Sequence, residues 1–206
     1  MGFYRDRILP HLIGCACQVD PIMQQRARII PRARGIVLDV GFGNGPNLAF
    51  YDRARVDHLL ALEPSAGMRR KVGARLAASD LPHGLLDAPA EAIPLPDDSI
   101  DTVVLTYTLC SIPDYAAALA EMRRVLRPDG QLLFCEHGLA PDPGLARWQK
   151  RIEPVWKRVS GGCHLTRPAD RLIDAAGFEL SEISRDYIPA SLKIVAFDYL
   201  GVARPR

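Results

Sequence analysis

The sequence predicts an α/β fold built on a parallel sheet covered on both faces, and three observations lead there. Short β-branched runs alternate with helical patterns along the chain. A glycine-rich turn, "VLDVGFGNGPN" (37–47), closes the first run. The tail then breaks the alternation, with two strand-like runs and no helix between them.

Taken in order, residues 1–34 read as an N-terminal helical cap. Its apolar stretch, Ile8 to Cys17, is interrupted by Pro10, His11 and Gly14, which argues against a signal peptide or a membrane anchor. Arg26, Arg28, Arg32 and Arg34 add positive charge, expected on a solvated face. "GIVLDVG" (35–41) is a buried strand ending in glycine, and "HLLALEPS" (58–65) is the next. "DTVVLTYTLCS" (101–111) and "QLLFCEH" (131–137) come after them. In "DYAAALAEMRRVLRPDG", Leu119, Met122 and Leu126 recur at helical steps until Arg127-Pro128-Asp129-Gly130 stops the helix. After the helix "RPADRLIDAAG", the runs "FELSEISRDYI" and "LKIVAFDYLGVA" should pair as an antiparallel hairpin at the sheet edge. No internal repeat or low-complexity linker divides the 206 residues, so one domain, 1–206, is expected.

Composition excludes several classes. Apolar and charged fractions of 48% and 24% are those of a soluble globular protein. A net charge of +2 offers no polycation for nucleic acid. No apolar run approaches the ~20 residues of a membrane span. Five cysteines without a regular framework suit free thiols in a reducing compartment, so a cytoplasmic location is expected.

The turn carries the chemistry. Gly41, Gly43 and Gly45 follow a strand and are expected to precede a helix, the setting in which backbone approaches a ligand closely. A dinucleotide turn of the form G-x-G-x-x-G would need its third glycine at Pro46, so the spacing argues against NAD. Asp39 precedes the turn. Glu63 stands at the end of the next strand, where an acid receives the two hydroxyls of a ribose. A plain structural turn is the alternative, and Asp39 and Glu63 in register weigh against it.

At these residues the chain resembles a known family. "VLDVGFGNG", "ALEPS", "APAEAIPLPDDSIDTVV" and "ALAEMRRVLRPDGQLLF" together are similar to class I S-adenosylmethionine-dependent methyltransferases. The resemblance implies a Rossmann-like, seven-stranded, mostly parallel sheet whose last strand is antiparallel. It implies that Asp39 and the Gly41–Gly45 backbone hold the methionine end of S-adenosylmethionine. Glu63 would bind the ribose hydroxyls, Pro64 and Ser65 would flank the adenine, and Ala90 and Glu91 would lie at its edge. Many relatives carry an aspartate at the position of Pro89 to bond the adenine amino group. Here backbone groups, or Glu91 itself, would have to do so.

The second half resembles the methyltransferase-like 7 proteins, which are thiol S-methyltransferases. The shared elements are "LCS" (109–111), "EH" (136–137), Trp148-Gln149, Pro154-x-Trp156 and "GC-x-LTR" (162–167). The animal members have an N-terminal membrane helix that this sequence does not show, and His164 stands where they often have another residue. The resemblance implies a small-molecule acceptor, with a thiol favoured.

Methyl transfer from a sulfonium is an in-line displacement, so the protein supplies alignment and a dry cavity. Candidates lie at the C-terminal ends of strands, where open α/β sheets bind ligands. Thr106 and Tyr107 end the fourth predicted element, with Cys110 and Ser111 behind them, beside the expected methyl. His137 is a candidate proton acceptor, or a residue that only bonds the following loop. Tyr107 and His164 are the next catalytic candidates. Cys110 reads as a small buried packer. Cys163 and His164, after Gly161-Gly162, either line the acceptor pocket or close the insertion. With Cys15-Ala16-Cys17 they match no zinc spacing, so no metal is expected.

Residues 138–166 read as a helical insertion, or lid. At 100° steps Leu145, Trp148, Ile152, Val155, Trp156 and Val159 share one stripe, and Arg147, Lys150, Arg151, Lys157 and Arg158 lie opposite. Pro154 should kink or restart the helix. Either the stripe docks on the sheet, or its tryptophans wall the acceptor pocket. A basic amphipathic stretch also reads as a membrane-surface contact. Two further functions stay open beside the thiol: a phospholipid headgroup amine or quinone methyltransferase at a membrane surface, and a non-catalytic cofactor-binding protein. Nothing in the sequence sets the oligomeric state.

Overall fold

The computed structural model describes residues 18–189 and 191–206. Cys15, Cys17 and the apolar stretch before Gln18 lie outside them. The described part of the N-terminal cap is helix α1 (Asp20–Ile29), with Pro21 in its first turn, followed by a short 3-10 turn, Ile30–Arg32.

Seven strands form one sheet: β1 (Gly35–Val40), β2 (Val56–Leu62), β3 (His83–Leu86), β4 (Ile100–Thr106), β5 (Leu126–His137), β6 (Phe178–Tyr187) and β7 (Phe197–Pro205). Their order is β3-β2-β1-β4-β5-β7-β6. The first five are parallel, and β7 is antiparallel to both β5 and β6. The tail hairpin therefore forms as expected, with its second strand inside and its first at the edge. The order changes direction at β1 and β4, so the C-terminal ends of those strands open the crevice where such sheets take ligands.

Period-two alternation divides the core between the two faces. Leu38, Val40, Val103, Leu105, Leu132 and Phe134 pack on one side with α3 (Tyr115–Val125). Val37, Val104, Leu133 and Cys135 pack on the other with Ile29, Ile30 and residues of α2 (Ala66–Ala77).

Two local expectations need correction. No α-helix follows the glycine turn: a 3-10 turn, Pro46–Phe50, stands there. Its Asn47 and the following Tyr51 are drawn inward to bond Asp39, which an outward-facing helix would not allow. β3 has no counterpart among the strands recognised in the sequence. It has four residues at the sheet edge, one of them Gly84, and none is fully buried.

The insertion is helix α4 (Pro143–Val159), capped by the Asp142 carboxylate on the backbone N–H groups of Gly144 and Leu145. It runs through Pro154 without restarting. The apolar stripe is only half covered. Leu145, Ile152 and Trp156 are half-buried, whereas Trp148, Val155 and Val159 are 58%, 62% and 53% exposed. Trp148 does not wall a pocket: it lies under the Arg151 guanidinium, 5.8 Å from ring centroid to Cζ. The anchor is its neighbour, Gln149, fully buried. Gln149 Nε2 donates to the Gly138 and Ile194 carbonyls at 3.0 Å each, and Oε1 accepts from Ala140 N–H at 2.9 Å. One side chain thus joins α4 to the exit of β5 and to the β6–β7 connection. A short helix α5 (Ala169–Ala175) leads into β6.

Gln149→Ala leaves two buried backbone groups and one half-buried one without their partner and should cost about 2–3 kcal/mol, the range for buried unsatisfied polar groups. Trp148→Ala should stay within about 0.5 kcal/mol. Urea denaturation of the two variants checks the contrast, and equal losses would refute it.

Candidate functional site

The crevice is floored by the turn after β1. Gly41, Gly43 and Gly45 all have left-handed backbone, φ +70°, +60° and +78°. A Cβ on Gly41 would collide with the Thr108 side chain, so only glycine fits there. A Cβ on Gly43 would meet nothing closer than 3.9 Å, so this part of the turn faces open space. Glu63, buried at the end of β2, turns toward the same loop. One carboxylate oxygen accepts from Gly43 N–H and the other from Ser65 N–H, both at 2.8 Å. Each oxygen keeps lone-pair capacity, which suits a pair of adjacent hydroxyls. Burial pushes the Glu63 carboxyl up, against the pull of those two bonds and of Arg69. An open glycine cradle beside a held, bidentate acid fits the ribose end of the expected cofactor.

Asp39 is held beneath the turn. Its Oδ2 accepts from Asn47 Nδ2 at 2.9 Å and from the Tyr51 hydroxyl at 2.7 Å. Burial pushes this carboxyl up to about 6, with Asn47, Tyr51 and the Arg26 charge pulling against it. Arg26 does not lie on a solvated face, as its sequence neighbours suggest, but is buried. It donates to Asn47 Oδ1 at 2.7 Å and to Thr106 Oγ1 at 2.5 Å, and lies over the Tyr107 ring at 5.1 Å. The reason is charge: the interior holds an acid, Asp39, that a buried cation can offset. Arg32 does stay outside, paired with Glu182 at 2.6 Å.

The opposite wall is built where β4 and β5 end and β7 begins. Tyr107 leaves β4 with a left-handed backbone, φ +52°, a conformation few non-glycine residues take. Its hydroxyl donates to Asp198 of β7 at 3.1 Å and accepts from the Cys135 thiol at 3.2 Å. Its ring stacks with His137 at 6.5 Å between centroids. His137 Nε2 is 3.2 Å from Cys163 Sγ. The Cys163 thiol is pushed down, by its hydrogen bond with Cys110 and then by His137. Burial alone would lower His137, yet Cys163, Glu136 and Asp198 together raise it. Next to it, Glu136 is fully buried and accepts from Thr108 and Leu109 N–H at 2.7 and 3.0 Å.

Of the candidates read from sequence, Asp39, the three glycines and Glu63 gather at the turn, with Thr106 tied to Asp39 through Asn47. Tyr107 and His137 meet on the far wall. His164 turns away from them: its Nδ1 lies 3.2 Å from Glu153 on α4, and its backbone N–H donates to the Cys110 carbonyl. Pro64 is exposed beside β2, and Ala90 is buried. Glu91 accepts from Asp114 N–H at 3.3 Å, at the start of α3. Sequence reasoning missed Arg26, Asn47, Tyr51 and Asp198. Only the burial of each reveals its part, since Arg, Asn and Asp are mostly exposed types and Tyr is intermediate.

Residues 38–134 match a family model described as a methyltransferase domain. The human protein named thiol S-methyltransferase TMT1B is 36% identical over 161 residues, covering 76% of this chain and 64% of the relative. The rat protein of the same name is 32% identical with the same coverage. The chain thus spans 64% of the length of these relatives. A demethylmenaquinone methyltransferase of Clavibacter sepedonicus is 33% identical over 61% of this chain and 52% of its own. Among solved structures, S-adenosylmethionine-dependent methyltransferases from Mesorhizobium loti and Methanosarcina mazei each superpose with TM-score 0.67. They cover 91% and 82% of this chain and 98% and 92% of their own, at 18% and 17% identity, a likeness of fold alone. S-adenosylmethionine is the cofactor these likenesses indicate, in agreement with the open cradle and its acid. Strand order and sequence matches converge on one conclusion: residues 38–134 are a methyltransferase domain, carried on the fold of S-adenosylmethionine-dependent methyltransferases.

Proposed function

We propose that the chain methylates the sulfur of a small-molecule thiol. The observation that carries this reading is the wall of Tyr107, His137 and Cys163 at the strand ends beside the cofactor turn. The relatives named thiol S-methyltransferases, aligned over 161 residues, support the same acceptor.

S-adenosylmethionine supplies an activated methyl on a sulfonium. The residues of the chain then have three tasks. The Gly41–Gly45 backbone and Asp39 hold the methionine end, and Glu63 holds the ribose, which orients the donor. Pro64, Ala90 and Glu91 border the adenine. Tyr107 and His137 flank the acceptor and exclude water from the line of displacement. A thiol with pKa ~8–9 already carries a thiolate fraction near neutral pH, so no strong base is needed.

A second reading has its own observation. Trp148, Val155 and Val159 are exposed on α4 with Arg147, Lys150 and Arg151 close by in sequence, a pattern that suits a membrane surface carrying a quinone or lipid amine acceptor. Among the described residues no helix is long and apolar enough to cross a membrane. Co-sedimentation with anionic vesicles that is lost in Trp148→Ala would favour this reading. No sedimentation would remove it.

Glu63→Ala should weaken S-adenosylmethionine binding by about 1–3 kcal/mol, the scale of charge-assisted hydrogen bonds. Calorimetry showing unchanged affinity would remove the ribose role. Affinity should also fall as pH drops through about 6, where Asp39 takes up a proton and loses the charge that attracts the cofactor's ammonium. In Asp39→Asn that acid-side fall should disappear. A pH-titrated binding curve identical to the native one would exclude Asp39 as its source.

A further inference from the structure

Three soft side chains meet where three distant stretches converge. Cys110 follows β4, His137 ends β5, and Cys163 follows α4. Their ligand atoms all lie within 4.8 Å of one another, and His137 Nε2 is 3.2 Å from Cys163 Sγ. A tetrahedral zinc ion with Zn–S of about 2.3 Å and Zn–N of about 2.0–2.1 Å sets neighbouring ligand atoms roughly 3.5–3.8 Å apart. Small side-chain rotations bring the trio to that spacing.

The trio is braced from both sides. Glu136 accepts from the Thr108 and Leu109 N–H groups just before Cys110. Arg167 donates to the Leu109 carbonyl and, at 2.8 Å, to that of Ile112, holding the loop around Cys110. The His164 N–H donates to the Cys110 carbonyl at 2.8 Å, which ties the loop of Cys163 to that of Cys110. The stretches "LCS", "EH" and "GC-x-LTR" therefore converge on this one cluster. Cys110 is buried, while His137 and Cys163 are half-buried, so part of the latter two side chains remains within reach of solvent. His137 Nδ1, Glu136 Oε2 and Asp198 Oδ1 are all buried without a hydrogen-bond partner among the described residues. A zinc-bound imidazole keeps its proton on the other nitrogen, and carboxylates are its usual outer partners.

We propose that Cys110, His137 and Cys163 hold one zinc ion, with the fourth coordination position open to the acceptor thiol. Three protein ligands and one open position are the pattern of catalytic rather than structural zinc, and two thiolates with an imidazole suit zinc among common divalent ions. Two thiolates balance the charge of Zn²⁺. A third thiolate, from the acceptor, makes the centre singly negative, facing a positively charged sulfonium. On coordination the acceptor thiol releases its proton to solvent. Its sulfur lone pair then forms the new S–CH3 bond while the sulfonium S–CH3 bond breaks, the electron pair staying on the departing sulfur. This inference rests on the thiol reading for its fourth ligand only. The lack of a zinc spacing along the chain argues against a metal only when ligands share one element, and here they come from the ends of separate ones.

The test is metal analysis and cobalt spectroscopy on the full chain, purified under reductant. One zinc per chain should survive gel filtration. Cobalt replacement should give a sulfur-to-cobalt charge-transfer band and the intense d–d bands of a tetrahedral site, shifted on adding a small thiol. The bands should vanish in Cys163→Ser and in Cys110→Ser, and persist in a Cys15→Ser/Cys17→Ser variant. Failure of the native chain to take up zinc or cobalt overturns the proposal, whatever the variants do. So do bands that survive both Cys163→Ser and Cys110→Ser, or a spectrum indifferent to thiols. Thiol methylation at full rate by metal-free protein would overturn the zinc site and leave the proposed function standing. A thiol-responsive cobalt spectrum with no thiol methylated would uphold the site and overturn that function.

Discussion

A carboxylate buried beneath the glycine turn is the constraint on which the rest of the site depends. Asp39 is almost wholly removed from water, so its charge must be met by neighbours. Asn47 and Tyr51 are drawn in to bond it, which turns the stretch after Gly45 into a tight 3-10 turn. Asn47 in turn accepts from Arg26, and Arg26 reaches on to Thr106 at the end of β4. One buried charge thereby couples α1, the turn after β1 and the exit of β4. It also explains why an arginine of the N-terminal cap is found at the base of the cofactor site.

The strands and the turn were legible because their signals are local. β-branched runs, left-handed glycines and an acid at a strand end each leave a mark within a few residues. The pairing of the last two strands was legible from the missing helix between them. The illegible features depend on burial. Arg26 and Tyr51 stand beside other polar or charged residues, Asn47 follows the glycine turn, and Asp198 is a lone acid in a mostly apolar strand, so none announces its partner in sequence. β3 escaped notice because four half-covered edge residues show no period. The helical stripe on α4 marked an amphipathic helix but not its rotation: the helix leans toward Gln149, leaving Trp148 outside.

The far wall shows how motifs dispersed over the second half become one object. Glu136 and Arg167 do not face outward as recognition groups. They bond backbone atoms of the loop between β4 and α3 and fix its course. Charged side chains spent on backbone in this way give a loop the rigidity of a strand, which methyl transfer requires of the surface that orients an acceptor. Tyr107 contributes the same quality from within. Its left-handed backbone is unfavourable by itself and is retained by hydroxyl bonds to Asp198 and Cys135.

The position of β7 has a consequence for how the molecule comes into being. It is the latest strand in chain order, yet it lies between β5 and β6. Until it arrives, β5 presents a bare edge of apolar sequence with unpaired backbone groups, a template for pairing with the wrong chain. Asp198 travels on that strand, so the far wall is completed only once β7 has docked. The half of the crevice around Asp39 and Glu63 draws on earlier strands alone. A nascent chain can therefore shape its cofactor cradle well before it owns an acceptor site, and cofactor bound at that stage would steady the early strands while the last one docks.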